Sequence, residues 1–154
     1  DARLWMPGAR DPARLDYVAE LEARAAALGV ADAVAITPPT AAIAQAYAAS
    51  DLVLQLSRKP EAFGRTVIEA LSTGRPVLGW AHGGVGELLR ELQPEGAVEP
   101  FDEAALHAGA RALLGDMAAR HEMLRAAMPT RLARYSLQTM QESTLAVYDE
   151  LAHD

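Results

Sequence analysis

The sequence has no cysteine, which excludes a disulfide framework and any thiolate-held metal. Basic charge is scarce: Lys and Arg number 14 against 21 Asp and Glu, giving a net charge of -7, and Lys59 is the single lysine. That balance argues against a nucleic-acid partner held by phosphate contacts. Long apolar runs are missing as well. The longest uncharged stretch, residues 33–50, is interrupted by Thr37, Pro38, Pro39, Thr40, Gln45 and Ser50, too polar and broken to cross a bilayer as a helix. No basic leader precedes an apolar run, and the sequence reads as a soluble, cytoplasmic domain. Neither G-x-G-x-x-G nor the Walker lysine motif occurs, which disfavours hydride transfer through a dinucleotide and a P-loop. The histidines, His82, His107, His121 and His153, have no metal-ligand spacing, so no metal site is expected.

What remains is an ordinary globular balance. Hydrophobic residues make up 51% and charged residues 23% of 154, enough for one domain, residues 1–154, burying roughly two-thirds of its unfolded surface. The 33 alanines and 13 arginines read as the coding bias of a GC-rich genome. The chain opens at Asp1 without methionine and enters an apolar segment at once, as expected of a fragment of a longer protein.

Short apolar runs alternate with amphipathic ones. Leu4-Trp5-Met6 predicts a strand stopped by Pro7-Gly8. Asp11-Pro12 then predicts an N-cap with proline at the first helical position. Leu15, Val18, Leu21, Ala25 and Leu28 recur at helical spacing up to Gly29. A second strand is expected over 33–37, a short helix capped by Thr40 and reaching Ala49, and a third strand over 51–56. A loop over 57–63 leads to a helix over 64–73. A turn at Gly74-Arg75-Pro76 leads to a strand over 77–80, a glycine loop at Gly83-Gly84-Val85-Gly86, and a helix to about Glu91. Ala97-Val98 forms a last short strand, and helices follow over 103–114, 117–134 and 137–152, the last capped by Ser136. Strands separated by helix-length segments imply an α/β, Rossmann-like, doubly wound parallel sheet with flanking helices and a helical C-terminal segment.

Ligands bind such sheets at the carboxyl ends of the strands. The sharpest feature there is residues 60–70, where Glu61 lies in the loop and Glu69 eight residues on, in the helix. At 100° per residue, Glu69 falls with Arg65, Thr66, Ser72 and Thr73, opposite Val67, Ile68, Ala70 and Leu71. Two readings stay open. Glu69 is a solvated residue and Glu61 an acid favoured by the helix dipole; or the carboxylates take sugar and ribose hydroxyls while the amides of residues 64–66 face a phosphate. The second feature, Ala81-His82-Gly83-Gly84-Val85-Gly86, makes either a phosphate cradle or a tight turn, and His82 is either a substrate contact or polar surface.

As an ordered set these segments resemble the C-terminal half of retaining GT-B glycosyltransferases, in particular glycosyltransferase family four and its glycogen-synthase-like relatives. Residues 49–57, Glu61-Ala62-Phe63-Gly64 and Glu69-Ala70-Leu71 match that family's E-x7-E region. Gly74-Arg75-Pro76-Val77 and Gly83-Gly84-Val85-Gly86-Glu87-Leu88 continue it in order, joined by Gly8, Gly96, Pro100 and Asp102.

The resemblance implies that Glu61, the expected catalytic residue, contacts the donor sugar beside the backbone of Phe63 and Gly64. The amides around Arg65 and Thr66 would hold the diphosphate and Glu69 the ribose. Gly8 follows the first strand, the loop from Thr37 to Pro39 would lie by the nucleobase, and Gly83 and Gly84 would permit close packing near the site. The substrate implied is a nucleotide-diphosphate sugar, with no further cofactor and no bound metal. Pro38-Pro39 stands where the family usually has a glycine. The family's phosphate-clamping arginine and lysine lie upstream, in a first strand-helix unit that this chain lacks together with the N-terminal acceptor domain. The chain alone is therefore expected to be inactive. Peripheral membrane association of the full enzyme, a non-catalytic nucleotide-binding or assembly module, and a sugar-nucleotide epimerase stay open as alternatives.

Overall fold

A computed structural model of the chain describes residues 2–152, so His153 falls outside the described residues. These residues form two compact units, one ending at Ile43 and the other beginning at Ala44.

The first unit is one parallel βαβ. Strand β1 (Leu4–Pro7) pairs with β2 (Val34–Thr37), Leu4 opposite Val34 and Pro7 opposite Thr37. Between them runs α1 (Leu15–Ala27), which buries Val18 and Ala25. Its start differs from the expected simple cap. Asp11 Oδ1 accepts the Ala13 N–H at 2.9 Å, but this caps a single tight turn, Pro12–Arg14, and Arg14 leaves helical geometry at φ -135° before α1 begins. β2 starts one residue later than expected because Ala31–Ala33 form another tight turn.

The second unit holds a three-stranded parallel sheet, β3 (Val53–Gln55), β4 (Val77–Trp80) and β5 (Ala97–Val98), with β4 in the centre. All four residues of β4 are buried, and their alternation builds a core on each face. Val77 packs with Val53, Val67, Leu71, Leu89, Leu124 and Met128, under α3 (Arg65–Ser72), α4 (Gly83–Leu92) and α6 (Met117–Leu132). Leu78 and Trp80 point the other way and pack with Val98 and with Leu113 of α5 (Glu103–Leu114). Each fully buried leucine contributes about 1.5–3 kcal/mol. Helices on both faces of a parallel sheet make this unit Rossmann-like. The strands thus lie in two parallel sheets where the sequence suggested one.

Three elements differ from expectation for identifiable reasons. β3 is confined to Val53–Gln55, not 51–56: the Val53 N–H pairs with the Pro76 carbonyl at 2.9 Å, and the Asp51 carbonyl accepts from His121 Nε2 at 3.0 Å instead of joining a ladder. Thr40 is not the cap of α2 (Ile43–Ala48); its Oγ1 accepts from the Ala42 N–H at 3.1 Å and turns the chain ahead of the helix. Gly83 to Gly86 are not a loop but the first turn of α4, with His82 as its extended N-cap. Further on, α6 contains Pro129, which cannot donate to the preceding turn, and stops at Leu132 in a tight turn, Ala133–Tyr135. Ser136 then caps α7 (Leu137–Ala152), its Oγ accepting the Thr139 N–H at 3.1 Å. Among the described residues, no helix is long and apolar enough to cross a membrane.

Candidate functional site

In the second unit, the loop after β3 carries Glu61 and is fixed from two directions. Gln55 Nε2 and Ser57 Oγ both donate to Glu61 Oε1, each at 2.7 Å. One carboxylate oxygen is therefore occupied by the protein, and among the described residues Oε2 has no hydrogen-bond partner. From beneath, the start of α4 lies against the loop backbone: the Gly84 N–H donates to the Glu61 carbonyl at 2.8 Å. A Cβ on Gly84 would sit 2.5 Å from the Phe63 carbonyl oxygen and 2.7 Å from that of Ala62, and one on Gly83 would sit 2.6 Å from the Glu61 carbonyl oxygen. The glycine pair is what lets helix and loop touch.

The loop ends at Gly64, whose φ of 88° and ψ of 48° place it in the left-handed region as N-cap of α3. A side chain there would be strained and would meet Val85 at 3.0 Å. Val67 N–H bonds back to the Gly64 carbonyl at 3.0 Å, so the amides of Arg65 and Thr66 lead the helix, at the positive end of its dipole. Phe63 is half exposed, and its ring meets the Tyr135 ring edge-on at 6.3 Å.

Glu69, one turn along α3, is not freely solvated. Arg65 Nη2 pairs with its Oε1 at 2.7 Å, and the Tyr47 hydroxyl donates to its Oε2 at 3.2 Å. The Arg65 side chain is 81% exposed and that of Glu69 33%, so the ion pair itself is worth only a few tenths of a kcal/mol. Burial raises the pKa of Tyr47 above the usual tyrosine value; the Thr66 side chain pulls the other way, and the Glu69 carboxylate adds to the rise. The hydroxyl thus stays protonated as a donor to Glu69.

His82 does not point freely into solvent. Its Nε2 lies 3.0 Å from the Ser57 carbonyl oxygen, which can only accept, so Nε2 carries the proton. In the first unit, the structure brings Gly8, Thr37 and Pro39 together: the Gly8 N–H donates to the Thr37 carbonyl at 3.0 Å, and a Cβ on Gly8 would lie 3.9 Å from Pro39 Cα. Thr37 Oγ1 also accepts from Trp5 Nε1 at 2.9 Å. Among the described residues, no group of three or more His, Asp or Glu side chains is placed to hold a metal ion.

Sequence reasoning missed Gln55, Ser57 and Tyr47, the partners of the two glutamates. Gln55 and Ser57 had a signal, since polar residues at the carboxyl end of a strand are placed where ligands bind. Tyr47 had none, because its contact joins positions 22 residues apart.

The profile of the family described as "Glycosyl transferases group 1" matches residues 2–128. The chain belongs to this family. Among curated relatives of this group 1 glycosyltransferase chain, a D-inositol 3-phosphate glycosyltransferase of Geodermatophilus obscurus is 32% identical over 149 residues, 96% of this chain and 32% of that protein. A glycogen synthase of Mycobacterium tuberculosis is 34% identical over 88 residues, 57% of this chain and 21% of that protein. Among solved structures, Anabaena HepE in complex with UDP superposes with a TM-score of 0.85 at 26% identity, over 97% of this chain and 41% of that one. WaaG, a glycosyltransferase involved in lipopolysaccharide biosynthesis, gives a TM-score of 0.67 at 27% identity over 83% of this chain and 34% of that one. The group 1 chain spans about a third of the length of the D-inositol 3-phosphate glycosyltransferases it matches. Its fold is that of GT-B C-terminal domains.

Proposed function

We propose that this chain is the nucleotide-sugar donor-binding domain of a retaining glycosyltransferase. The observation that carries this reading is the carboxylate of Glu61, with one oxygen held by two 2.7 Å hydrogen bonds and the other open. A fixed, half-satisfied carboxylate beside a helix N-terminus suits a sugar hydroxyl next to a phosphate. In this reading Glu61 holds the donor sugar beside the backbone of Phe63 and Gly64. The amides of Arg65 and Thr66 meet the diphosphate, and Glu69 accepts from the ribose once Arg65 swings away. Gly83 and Gly84 keep the Glu61 loop close to α4.

The reaction breaks the bond from the sugar's anomeric carbon to the diphosphate oxygen and forms one to an acceptor hydroxyl oxygen on the same face, the hydroxyl's proton passing to the departing diphosphate. The donor is a nucleoside-diphosphate sugar; Anabaena HepE, of the same fold, has been solved with UDP and glucose. The acceptor is held by a further domain, supplied in cis, and the 154-residue chain alone turns over no sugar. Its net charge of -7 disfavours a diphosphate unless cations outside this chain join the site.

Titration calorimetry of the active enzyme with UDP, GDP and ADP sugars tests the reading. Glu69→Ala weakens nucleotide binding by roughly tenfold or more, the size of hydrogen bonds to a charged acceptor. Glu61→Ala leaves nucleotide binding intact and slows transfer by about a hundredfold. Full activity in both variants refutes the assignment. A domain that binds no nucleotide sugar in any form is instead a non-catalytic module.

A further inference from the structure

Phe101 is, among the described residues, the one residue other than glycine in the left-handed region, with φ of 68°. A Cβ there crowds the neighbouring carbonyl, and a bulky aromatic residue rarely accepts it. The turn is set by its neighbours. The Asp102 N–H bonds to the Glu99 carbonyl at 3.1 Å, and Asp102 Oδ1 caps α5 by accepting the Ala105 N–H at 2.9 Å. A glycine would serve this turn without strain. Nor is the strain offset by burial, since Phe101 is 57% exposed.

What the conformation achieves is the position of a ring. Phe101 stands 5.9 Å from the Trp80 ring and 6.1 Å from the His82 ring, at 83° to the imidazole plane. Trp80 ends β4 and His82 opens α4, so the ring stands at the carboxyl edge of the sheet. His82 leads back to the candidate site: its Nε2 donates to the Ser57 carbonyl, and Ser57 Oγ donates to Glu61. The His82 Nδ1 lone pair is then a hydrogen-bond acceptor beside the exposed ring. Strained residues held by their surroundings cluster at functional sites.

We propose that Phe101 and His82 form a carbohydrate subsite. The apolar face of a pyranose lies on the Phe101 ring, and a sugar hydroxyl donates to His82 Nδ1. The inference rests on the glycosyltransferase reading of Glu61 and adds a sugar contact to it. The pyranose belongs either to the donor or to the acceptor, and the two sources separate by experiment.

Saturation-transfer NMR on the active enzyme that contains this chain, with UDP, UDP-glucose and methyl glucoside as probes, tests this in Phe101→Gly, Phe101→Ala and Phe101→Tyr. Saturation is expected on the sugar ring protons of the unaltered chain and of Phe101→Tyr. Phe101→Gly and Phe101→Ala lose it, with affinity for the sugar-bearing probe falling about fivefold, the size of one aromatic contact. Phe101→Gly also melts a few degrees above Phe101→Ala, because both lack the ring but only glycine relieves the backbone. A donor sugar shows as weakened UDP-glucose with unchanged UDP; an acceptor sugar shows as lost methyl glucoside with UDP-glucose unchanged. Equal sugar contacts in all four proteins overturn the subsite while leaving the donor reading intact. So does the absence of sugar saturation when UDP still binds. Loss of UDP and sugar binding alike in the unaltered chain overturns both.

Discussion

Gly84→Ala adds one methyl group where helix α4 meets the Glu61 loop. The new Cβ would lie 2.5 Å from the Phe63 carbonyl oxygen, 2.7 Å from the Ala62 carbonyl oxygen and 2.7 Å from the Phe63 carbonyl carbon. All three are backbone atoms, so no side chain can rotate away. Either α4 or the loop must retreat by roughly an ångström to restore van der Waals contact. Retreat also stretches the 2.8 Å bond from the Gly84 N–H to the Glu61 carbonyl. Overpacking of this kind costs about 1–3 kcal/mol, against under 1 kcal/mol gained from alanine's helix preference. A net loss of about 1–2 kcal/mol lowers the melting temperature of a chain of this size by roughly 2–8 °C. The control is Gly115→Ala, where φ is -68° and the nearest contacts of a Cβ are ordinary ones at 3.4 and 3.5 Å. That change is neutral or stabilising by about 0.5 kcal/mol. Differential scanning calorimetry of both variants reads the difference. Gly84→Ala melting level with Gly115→Ala would refute the claim that glycine is required by close packing against the loop.

Three other outcomes follow from the same geometry. Gln55→Leu and Ser57→Ala each remove one donor from Glu61 Oε1; each lowers kcat of the active enzyme by about tenfold with little change in nucleotide KM, read by labelled-sugar transfer. Tyr47 is raised first by burial and then by Glu69, and Tyr135 by burial and by its bond to Glu91, so both ionise above the usual value of 10.0. A raised acid favours folding while protonated: this stability is complete below pH 10 and is lost as pH climbs through the raised values. Absorbance titration of Tyr47→Phe and Tyr135→Phe should each remove late-ionising amplitude. His121 is buried, bonds the Asp51 carbonyl through Nε2 at 3.0 Å and meets the Arg75 guanidinium through Nδ1. His121→Ala leaves both partners unsatisfied and costs about 2–4 kcal/mol, read as a lower urea midpoint.

Several elements were legible where local chemistry decided them. Leu15, Val18 and Ala25 announced α1 by spacing, and Ser136 announced α7 by its capping chemistry. At two of the misread stretches a distant group took over. β3 is short because Asp51 faces His121, 70 residues away, rather than a strand. Gly83 to Gly86 read as a loop because glycine is the common residue of turns. Here glycine is required by contact between a helix and a loop separated in sequence, and no window of neighbouring residues reports that.

The same division governs the site. The spacing of Glu61 and Glu69 was visible, but periodicity placed Glu69 on a polar face and stopped there. Whether a carboxylate on a polar face is solvent decoration or a bound group depends on who faces it, and Tyr47 faces it from another helix. The two glutamates are held alike. Glu61 is fixed by Gln55 and Ser57 and keeps one oxygen open, while Glu69 is fixed by Tyr47 and keeps its other oxygen on an exposed arginine. An exposed arginine is the easiest of these partners to displace, because its ion pair is weak in water. Each acid thus keeps an orienting bond that an incoming group need not break, from Gln55 and Ser57 on Glu61 and from Tyr47 on Glu69, a property of the folded neighbourhood rather than of their spacing in sequence.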